Sequence, residues 1–434
     1  MNTKYQEALD FLFSQLPMFS RTGAPAYKPG LDTSINLAKF FDDPQDKFKS
    51  IHVAGTNGKG STSHMLASVL QAQGYKTALY TSPHLIDFRE RMKINGKMIP
   101  EAKVVEFVEK WKQLDFDGNP SFFELTMIMA FQWFAEEKVD YAVIEVGMGG
   151  RLDSTNIITP MLSIITNISF DHNQFLGETL PQIAFEKAGI IKNSIPVVVG
   201  EYQDETADVF IKKAQDTRSP IIFADKETPL EIEKSDNSWL LNYSGQTIRL
   251  SLGGDYQKKN LTTVIAAVEQ MKRLDIKVTD DNLNKGISNV EEFTGLKGRW
   301  TILSRHPLTI ADTGHNIAGL SYNFSQLKEL LSSHPGGKLR VVIGFVADKA
   351  INKIMNLLPQ DAIYYVSNAQ IPRALPAEKL HENFQENNLE SRKFESVPEA
   401  YETAKTEASE KDIIFIGGST FVVADLLAEL YRNK

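Results

Sequence analysis

Ser50-Ile51-His52-Val53-Ala54-Gly55-Thr56-Asn57-Gly58-Lys59-Gly60-Ser61 passes from an apolar, β-prone run into a glycine turn, and a helix-patterned stretch, Thr62 to Ala72, follows. Strand, glycine-rich turn and helix in that order is the context in which glycines form a phosphate cradle. Glycine lets the backbone approach an anion and aim successive N–H groups at it, while the helix N-terminus adds partial positive charge. The amides of Thr56, Asn57, Gly58, Lys59 and Gly60 would line the cradle and the Lys59 ammonium would reach terminal phosphates. The Ser61 hydroxyl could hold the metal that travels with a nucleoside triphosphate. The spacing is not the common one: two residues separate Gly55 from Gly58, and Gly60 stands between Lys59 and Ser61. A merely flexible connection would need neither lysine nor hydroxyl, so the stretch predicts a nucleotide site, with ATP as the expected ligand.

Bulk properties agree with a soluble enzyme. A chain of 434 residues makes two or three domains, each large enough for its own core. The net charge of −8 argues against nucleic acid or an anionic membrane as the main partner. With no cysteine there are no disulfides, thiolate metal sites or catalytic thiols. Ala8-Leu9 and Leu12-Phe13 stand at helical spacing around Asp10, unlike a signal-peptide core. The most apolar longer stretch, Phe122 to Ala135, contains Glu124 and is too short to span a bilayer. A cytoplasmic monomer without membrane partners is expected.

Beyond the glycine turn, short apolar runs alternate with amphipathic stretches. Strands are expected at Lys76 to Tyr80, Tyr141 to Val146, Leu162 to Thr166, Val197 to Val199 and Ile221 to Phe223. Helices are expected over Glu101 to Leu114, Phe122 to Lys138, Leu180 to Ile191 and Asn260 to Leu274, with a hairpin turning at Ser244-Gly245. Near Gly298 the pattern restarts and runs to a last helix, Phe421 to Tyr431. The fold class is therefore α/β: an N-terminal P-loop domain (1–297) with a mostly parallel sheet flanked by helices, and a smaller C-terminal Rossmann-like α/β domain (298–434).

Further clusters sit where strands end, the edge at which open α/β sheets bind ligands. Glu145 interrupts an apolar strand that runs into Gly147-Met148-Gly149-Gly150. A buried carboxylate is costly unless a metal or cation compensates it, and Arg151 is the local alternative partner. Asp171-His172 delivers an imidazole to the same edge. Lys187, in Phe185-Glu186-Lys187-Ala188-Gly189, reads by itself as a surface lysine. In the second domain Asp312-Thr313-Gly314-His315-Asn316 ends another strand: Asp312 could accept from ribose hydroxyls, and His315 could face an anionic reaction centre.

Taken in order, Gly55 to Ser61, Thr81-Ser82-Pro83-His84-Leu85, Glu145 to Asp153, Asp171-His172, Glu186-Lys187-Ala188-Gly189-Ile190 and Asp312 to Asn316 resemble one family. It is the folylpolyglutamate synthase/dihydrofolate synthase family, within the Mur-type amide ligases. The resemblance implies that ATP phosphorylates a folate carboxylate and that the amine of L-glutamate attacks the acyl phosphate. Both partners of the first step are anions, so metal ions and cationic donors must neutralise and align them.

The resemblance also implies roles. Ser82, Glu145 and His172 match magnesium ligands, and Ser61 is a further candidate by its place in the loop. Lys187 matches a lysine that is carboxylated on its amine, which would serve a second Mg2+. Asn260, Arg299 at the expected domain junction and Asp312 match nucleotide contacts. Phe122-Phe123-Glu124 and Leu152-Asp153-Ser154 match loops that hold the pteridine end, with Phe123 stacking and Asp153 bonding the amino-pyrimidine edge. His315 and Ser419 resemble residues that meet glutamate, Ser419 standing before a helix suited to a carboxylate. Lys59, His172, Lys187 and His315 are the expected catalytic set. Gly314 departs from the alanine of many relatives, with little consequence expected. Arg21 to Asp32 aligns poorly with the family's N-terminal substrate loop and receives no assignment.

The implied reaction is polyglutamylation of a reduced folate, and dihydropteroate is a second acceptor the motifs leave open. A monofunctional dihydrofolate synthase is the alternative within the family. A ligase for a nucleotide-linked cell-wall precursor would need an extra domain before the glycine turn. A regulatory P-loop ATPase would leave Lys187, Asp312 and the second domain without a task.

Overall fold

Runs of Val, Ile and Leu separated by amphipathic helices build parallel strands, because each crossover helix returns the chain to the same sheet edge. In the computed structural model, which describes residues 3–17, 30–228, 230–235, 238–347, 349 and 351–432, this happens twice. One unit comprises Met1–His84, Phe88–Ser251 and Gln257–Leu296; the other comprises Leu85–Asp87, Leu252–Tyr256 and Lys297–Lys434.

The first unit holds β1 (Lys49–Ala54), β2 (Thr77–Tyr80), β3 (Met92–Ile94), β4 (Lys97–Met98), β5 (Tyr141–Glu145), β6 (Leu162–Ile165), β7 (Val197–Val199) and β8 (Ile221–Phe223), in the sheet order β4-β3-β2-β5-β1-β6-β7-β8. Six strands from β2 to β8 are parallel, and β3 and β4 extend the edge antiparallel. Burial on both faces explains the mostly apolar composition of β5, β6 and β7, in which Glu145 and Ser163 are the exceptions. The helix Phe122–Glu136 starts at a capping box in which Ser121 and Glu124 satisfy each other's backbone N–H groups. It packs into an aromatic core where Phe13 stacks on Phe122 with ring centroids 5.5 Å apart. A separate antiparallel sheet, β9 (Ile232–Ser235), β10 (Ser238–Tyr243) and β11 (Gln246–Leu250), includes the expected turn at Ser244-Gly245.

The second unit's sheet runs β12-β13-β17-β14-β15-β16, from β12 (Thr301–Arg305), β13 (Leu308–Ala311), β14 (Leu339–Ile343), β15 (Ile363–Val366), β16 (Ser391–Lys393) and β17 (Ile413–Gly417). Only β12 is antiparallel to its neighbour. The last of these strands in sequence, β17, is thus one of the two middle ones, and it sets the loops after β13 and β17 side by side.

Three features differ from the expected pattern. The β3–β4 ribbon turns at Asn95-Gly96, both at positive φ, and its strands are too short to show alternation. The helices Asp204–Asp216 and Asp280–Ser288 have no counterpart among the expected elements; they bury Ala207, Phe210 and Ala214 and Leu283 and Ile287 respectively. A single boundary near residue 297 misses two short pieces of the second unit: Leu85 and Ile86 pack into its core, and Gly253 and Gly254 lie against Trp300. Residues 21–29 of the unassigned Arg21 to Asp32 segment lie outside the described residues, and Asp32 opens the helix Asp32–Phe40. Among the described residues no helix is long and apolar enough to cross a membrane.

The helix Asp280–Ser288 seats the helix Lys59–Ala72 that follows the glycine turn. A Cβ on Gly286 would lie 2.6 Å from Val69 Cα, and the Ser68 hydroxyl donates to the Gly286 carbonyl at 2.7 Å. Alanine in place of a helical glycine ordinarily stabilises by about 1 kcal/mol. Here the obstacle is backbone, so overpacking should win, and Gly286→Ala should lower stability by roughly 1–3 kcal/mol in urea unfolding. An unchanged or higher midpoint would contradict this packing.

Candidate active site

The glycine turn leaves β1 at the centre of the parallel edge and has no room for side chains. Gly55 (φ 142°) would place a Cβ 1.8 Å from Thr166 Oγ1, and Gly58 (φ 85°) would place one 2.1 Å from Asn260 Oδ1. The end of β6 braces the turn. Thr56 N donates to Asn167 O at 2.9 Å, Asn57 N to Asn167 Oδ1 at 3.1 Å, and Thr166 Oγ1 to Asn57 O at 2.6 Å. From the helix Gln257–Arg273, Gln257 Nε2 donates to the buried Ser61 Oγ at 3.1 Å, and Gln257 Oε1 accepts in turn from Asn260 Nδ2 at 2.8 Å. Of these partners sequence reasoning singled out only Asn260. Gln257 lies one helical turn away from it and was the available signal.

Two lysines converge on one carbonyl. Lys59 Nζ donates to Gly55 O and Thr56 O, each at 3.1 Å, and Lys187 Nζ donates to Gly55 O at 2.8 Å. Lys187 is buried, contrary to its reading as a surface lysine from residue type alone. Burial, with the Lys59 charge adding to it, lowers its pKa to about 7, against the opposing pull of Asp171 and Asp153. The amine is therefore neutral for a large fraction of the time at neutral pH.

Glu145 ends β5 nearly fully buried, and its Oε2 accepts from Ser82 N at 3.0 Å. Arg151, the alternative partner, pairs instead with Glu186 at 2.8 Å. His172 adopts a left-handed conformation (φ 52°) at the head of the short helix Asn173–Leu176, its backbone N–H bonded to Asp171 Oδ1 at 3.0 Å. Among the described residues no three His, Asp or Glu side chains form a ready metal cage. In the expected ligand set only Glu145 and His172 are of that kind. Ser61 and Ser82 offer neutral hydroxyls, and Lys187 becomes an oxygen ligand only once its amine is carboxylated.

The expected pteridine residues divide in two. Phe123 and Asp153 meet over Gly147, where a Cβ would come 2.6 Å from Phe123 Cζ and 3.1 Å from Asp153 Oδ2. Leu152 and Ser154 flank Asp153 at intermediate exposure. Phe122 turns into the core, with the Arg91 guanidinium 5.2 Å from its ring centroid. Glu124 is spent on structure: Oε2 accepts from Ser121 N at 2.7 Å and Ser121 Oγ at 2.8 Å, and Oε1 accepts from Ser34 Oγ at 3.0 Å. The geometry thus accounts for Phe122 and Glu124 as packing and capping residues.

In the second unit Asp312 receives four donors. Gly314 N at 2.7 Å and Asn323 Nδ2 at 2.9 Å reach Oδ1, while Trp300 N at 2.8 Å and Tyr256 Oη at 2.6 Å reach Oδ2. A ribose hydroxyl would have to displace one of them, so the expectation of an open acceptor is corrected. Gly314 also matters more than expected, since a Cβ there would meet Asn323 Nδ2 at 2.8 Å and Asp312 Oδ1 at 2.9 Å. Arg299 stands between Gly298 and Trp300, both at positive φ, in the turn that Asp312 fastens. His315 Nδ1 lies 3.0 Å from Thr313 O and must carry its proton there. Ser419 Oγ accepts from Phe421 N at 3.2 Å at the head of the helix Thr420–Arg432. Pairing of Ala311 with Ile416 brings the His315 and Ser419 loops off the same edge.

Residues 53–268 match the family described as Mur ligase middle domain, and residues 298–420 match the Mur ligase, glutamate ligase domain. The chain is 31% identical to the dihydrofolate synthase/folylpolyglutamate synthase of Bacillus subtilis (strain 168), covering 99% of this chain and 100% of that protein. Its structure is similar to that of E. coli FolC in complex with DHPP and ADP, with a TM-score of 0.81 and 27% identity over 99% of this chain and 98% of that one. It is also similar to the bifunctional folylpolyglutamate synthase/dihydrofolate synthase of Yersinia pestis complexed with AMPPNP and Mn ion, with a TM-score of 0.82 and 27% identity over 98% of each chain.

The depressed Lys187 pKa has a consequence for stability. Between about pH 7 and the ordinary lysine value of 10.5 the unfolded chain binds this proton and the folded chain does not. Stability from this group therefore rises with pH across that window, by several kcal/mol in total at about 1.4 kcal/mol per unit. Subtracting the unfolding free energies of Lys187→Met from those of wild type at each pH should expose this slope. Parallel profiles would show an ordinary lysine.

Proposed function

The chain belongs to the folylpolyglutamate synthase/dihydrofolate synthase family of Mur ligases, and from that premise we propose how its residues join L-glutamate to a pterin-bearing acid at the expense of ATP. The enzyme is an ATP-dependent ligase. Its acceptors are reduced folates, extended at the terminal glutamate carboxylate, and dihydropteroate, converted to dihydrofolate. The observation that carries the assignment of roles is the shared Gly55 carbonyl: a phosphate turn with one lysine in it and a second, buried lysine beside it.

In the first step an acceptor carboxylate oxygen bonds to the γ-phosphorus as the bond to the bridging oxygen breaks, and ADP leaves. In the second the glutamate amine attacks the acyl carbon. The tetrahedral intermediate then loses phosphate from carbon and a proton from nitrogen to give the amide. Lys59, which bonds loop carbonyls, would turn its ammonium to the phosphate oxygens, with the amides of Thr56 to Gly60 around them. Glu145, His172, Ser61 and Ser82 would hold a divalent cation, and carboxylated Lys187 would hold a second. When bound, such ions neutralise the phosphates and let two anions approach. A carboxylated Lys187 is chemically reasonable because carbon dioxide reacts only with the neutral amine, and a pKa of about 7 supplies it.

Phe123 would stack on the pteridine and Asp153 would accept from its amino-pyrimidine edge. Asn260, whose Oδ1 already lies against Gly58 of the phosphate turn, would contact the nucleotide there. In the second unit Arg299 would meet the nucleotide from a turn that Asp312 holds, so that Asp312 acts on ATP indirectly. His315 and Ser419 would receive L-glutamate, its carboxylate at the N-terminus of the helix Thr420–Arg432.

Phosphate release should require both L-glutamate and a pterin acceptor, and labelled glutamate should enter both dihydropteroate and a reduced folate monoglutamate. Lys59→Ala and His172→Ala should cut turnover by at least about a hundredfold without unfolding the chain. Lys187→Ala should do the same and regain part of its activity with short-chain carboxylic acids. Lack of rescue would remove the carboxylated lysine from the account. Release with ATP alone would remove ligation.

A further inference from the structure

The strand β1 carries one histidine that the reaction described so far does not use. His52 is fully enclosed in the sheet, paired with Ile144 of β5 and Ser163 of β6. Its Nε2 lies 2.9 Å from Thr155 Oγ1, and its Nδ1 is buried without a hydrogen-bond partner. Thr155 Oγ1 in turn lies 2.5 Å from Asp153 Oδ1, which also accepts from Thr155 N at 3.0 Å. Asp153 Oδ2 accepts from Met148 N at 2.9 Å on the side where Phe123 crosses Gly147. A chain of contacts therefore runs from the middle of β1 to the carboxylate expected to read the pterin ring.

The protons on this chain can be placed. A threonine hydroxyl has one hydrogen, and with Asp153 ionised that hydrogen must point at Oδ1. Oγ1 is then an acceptor toward His52, so Nε2 carries the imidazole proton and Nδ1 is bare. That fits the partnerless Nδ1, which keeps a lone pair and no stranded N–H. In the opposite arrangement Nδ1 carries the proton and Nε2 takes the hydroxyl hydrogen. The short oxygen–oxygen contact would then need a proton from Asp153 itself. Burial holds His52 neutral by pushing its pKa down to about 3, with the Lys192 charge acting the same way. Asp153, by contrast, is pushed up by burial, and the donors from Thr155 and Met148 oppose that.

We propose that His52 is a positioning residue for substrate recognition: its Nε2–H fixes the Thr155 hydroxyl toward Asp153, which holds Asp153 as an oriented carboxylate with Oδ2 turned to the pterin of the acceptor. The proposal rests on the ligase reading above. A histidine placed only for packing would make no bond toward the substrate side, and an apolar residue would fill the same strand position without an unpartnered nitrogen.

Two measurements test it. In the 15N–1H NMR spectrum of histidine-labelled protein, the resonances lost in His52→Gln should report a protonated Nε2 and an unprotonated Nδ1. Kinetically, Thr155→Val and His52→Leu should each raise the KM for dihydropteroate about tenfold or more while leaving the KM for ATP within about twofold. His52→Gln, whose amide N–H can still reach Thr155, should restore most of the loss. A proton on Nδ1 would overturn the proposal whatever the variants do, as would equal rises in both KM values. Failure of the ligase reading would appear separately, as wild-type protein that transfers glutamate to neither acceptor while the histidine spectrum still reports its tautomer.

Discussion

Two lysine amines share the Gly55 carbonyl, and the surrounding edge of the first sheet is built to hold them there. Burial penalises a charged amine and the neighbouring positive charge adds to that penalty, so the cheapest relief is for one of them to give up its proton. Lys187 is the one that does, being the more deeply enclosed of the pair. The turn that offers the carbonyl can exist only without side chains, since Thr166 and Asn260 occupy the space a Cβ would take. Strand order, glycine placement and lysine chemistry are thus one constraint seen at three scales.

The second unit follows the same logic with a carboxylate at its centre. Asp312 leaves the end of β13 and gathers donors from Tyr256, Trp300, Gly314 and Asn323. A buried carboxylate with four donors is stable, and it fixes the backbone around Arg299 more firmly than a loop could do by itself. Its carboxylate serves as a structural hub rather than as an open acceptor.

What was legible in the chain was what is local. Gly55 to Ser61 carries its own geometry, because glycine, lysine and the flanking periodicities all lie within a dozen residues. The alternation of apolar runs and helices gave the parallel sheets of both units. What stayed hidden depends on distant neighbours. Nothing near Lys187 in sequence says that it is buried, because the group it meets belongs to residue 55. Phe122 and Phe123 are indistinguishable by type, yet one is buried within the core while the other lies partly buried at its edge, against Gly147. Glu124 reads as a ligand-binding acid by type, but its capping partner Ser121 and the distant Ser34 hydroxyl engage both its oxygens. Leu85, Ile86 and the Gly253-Gly254 pair join the second unit from far upstream, which no boundary drawn along the sequence can capture.

The state of Lys187 is the most direct test. Protein labelled with 13C at lysine Cε, titrated by NMR in buffer stripped of carbon dioxide, should show one resonance absent from Lys187→Met that titrates near pH 7. If that resonance titrates instead near the ordinary lysine value of 10.5, the amine is solvated and charged, and the site is not built as described.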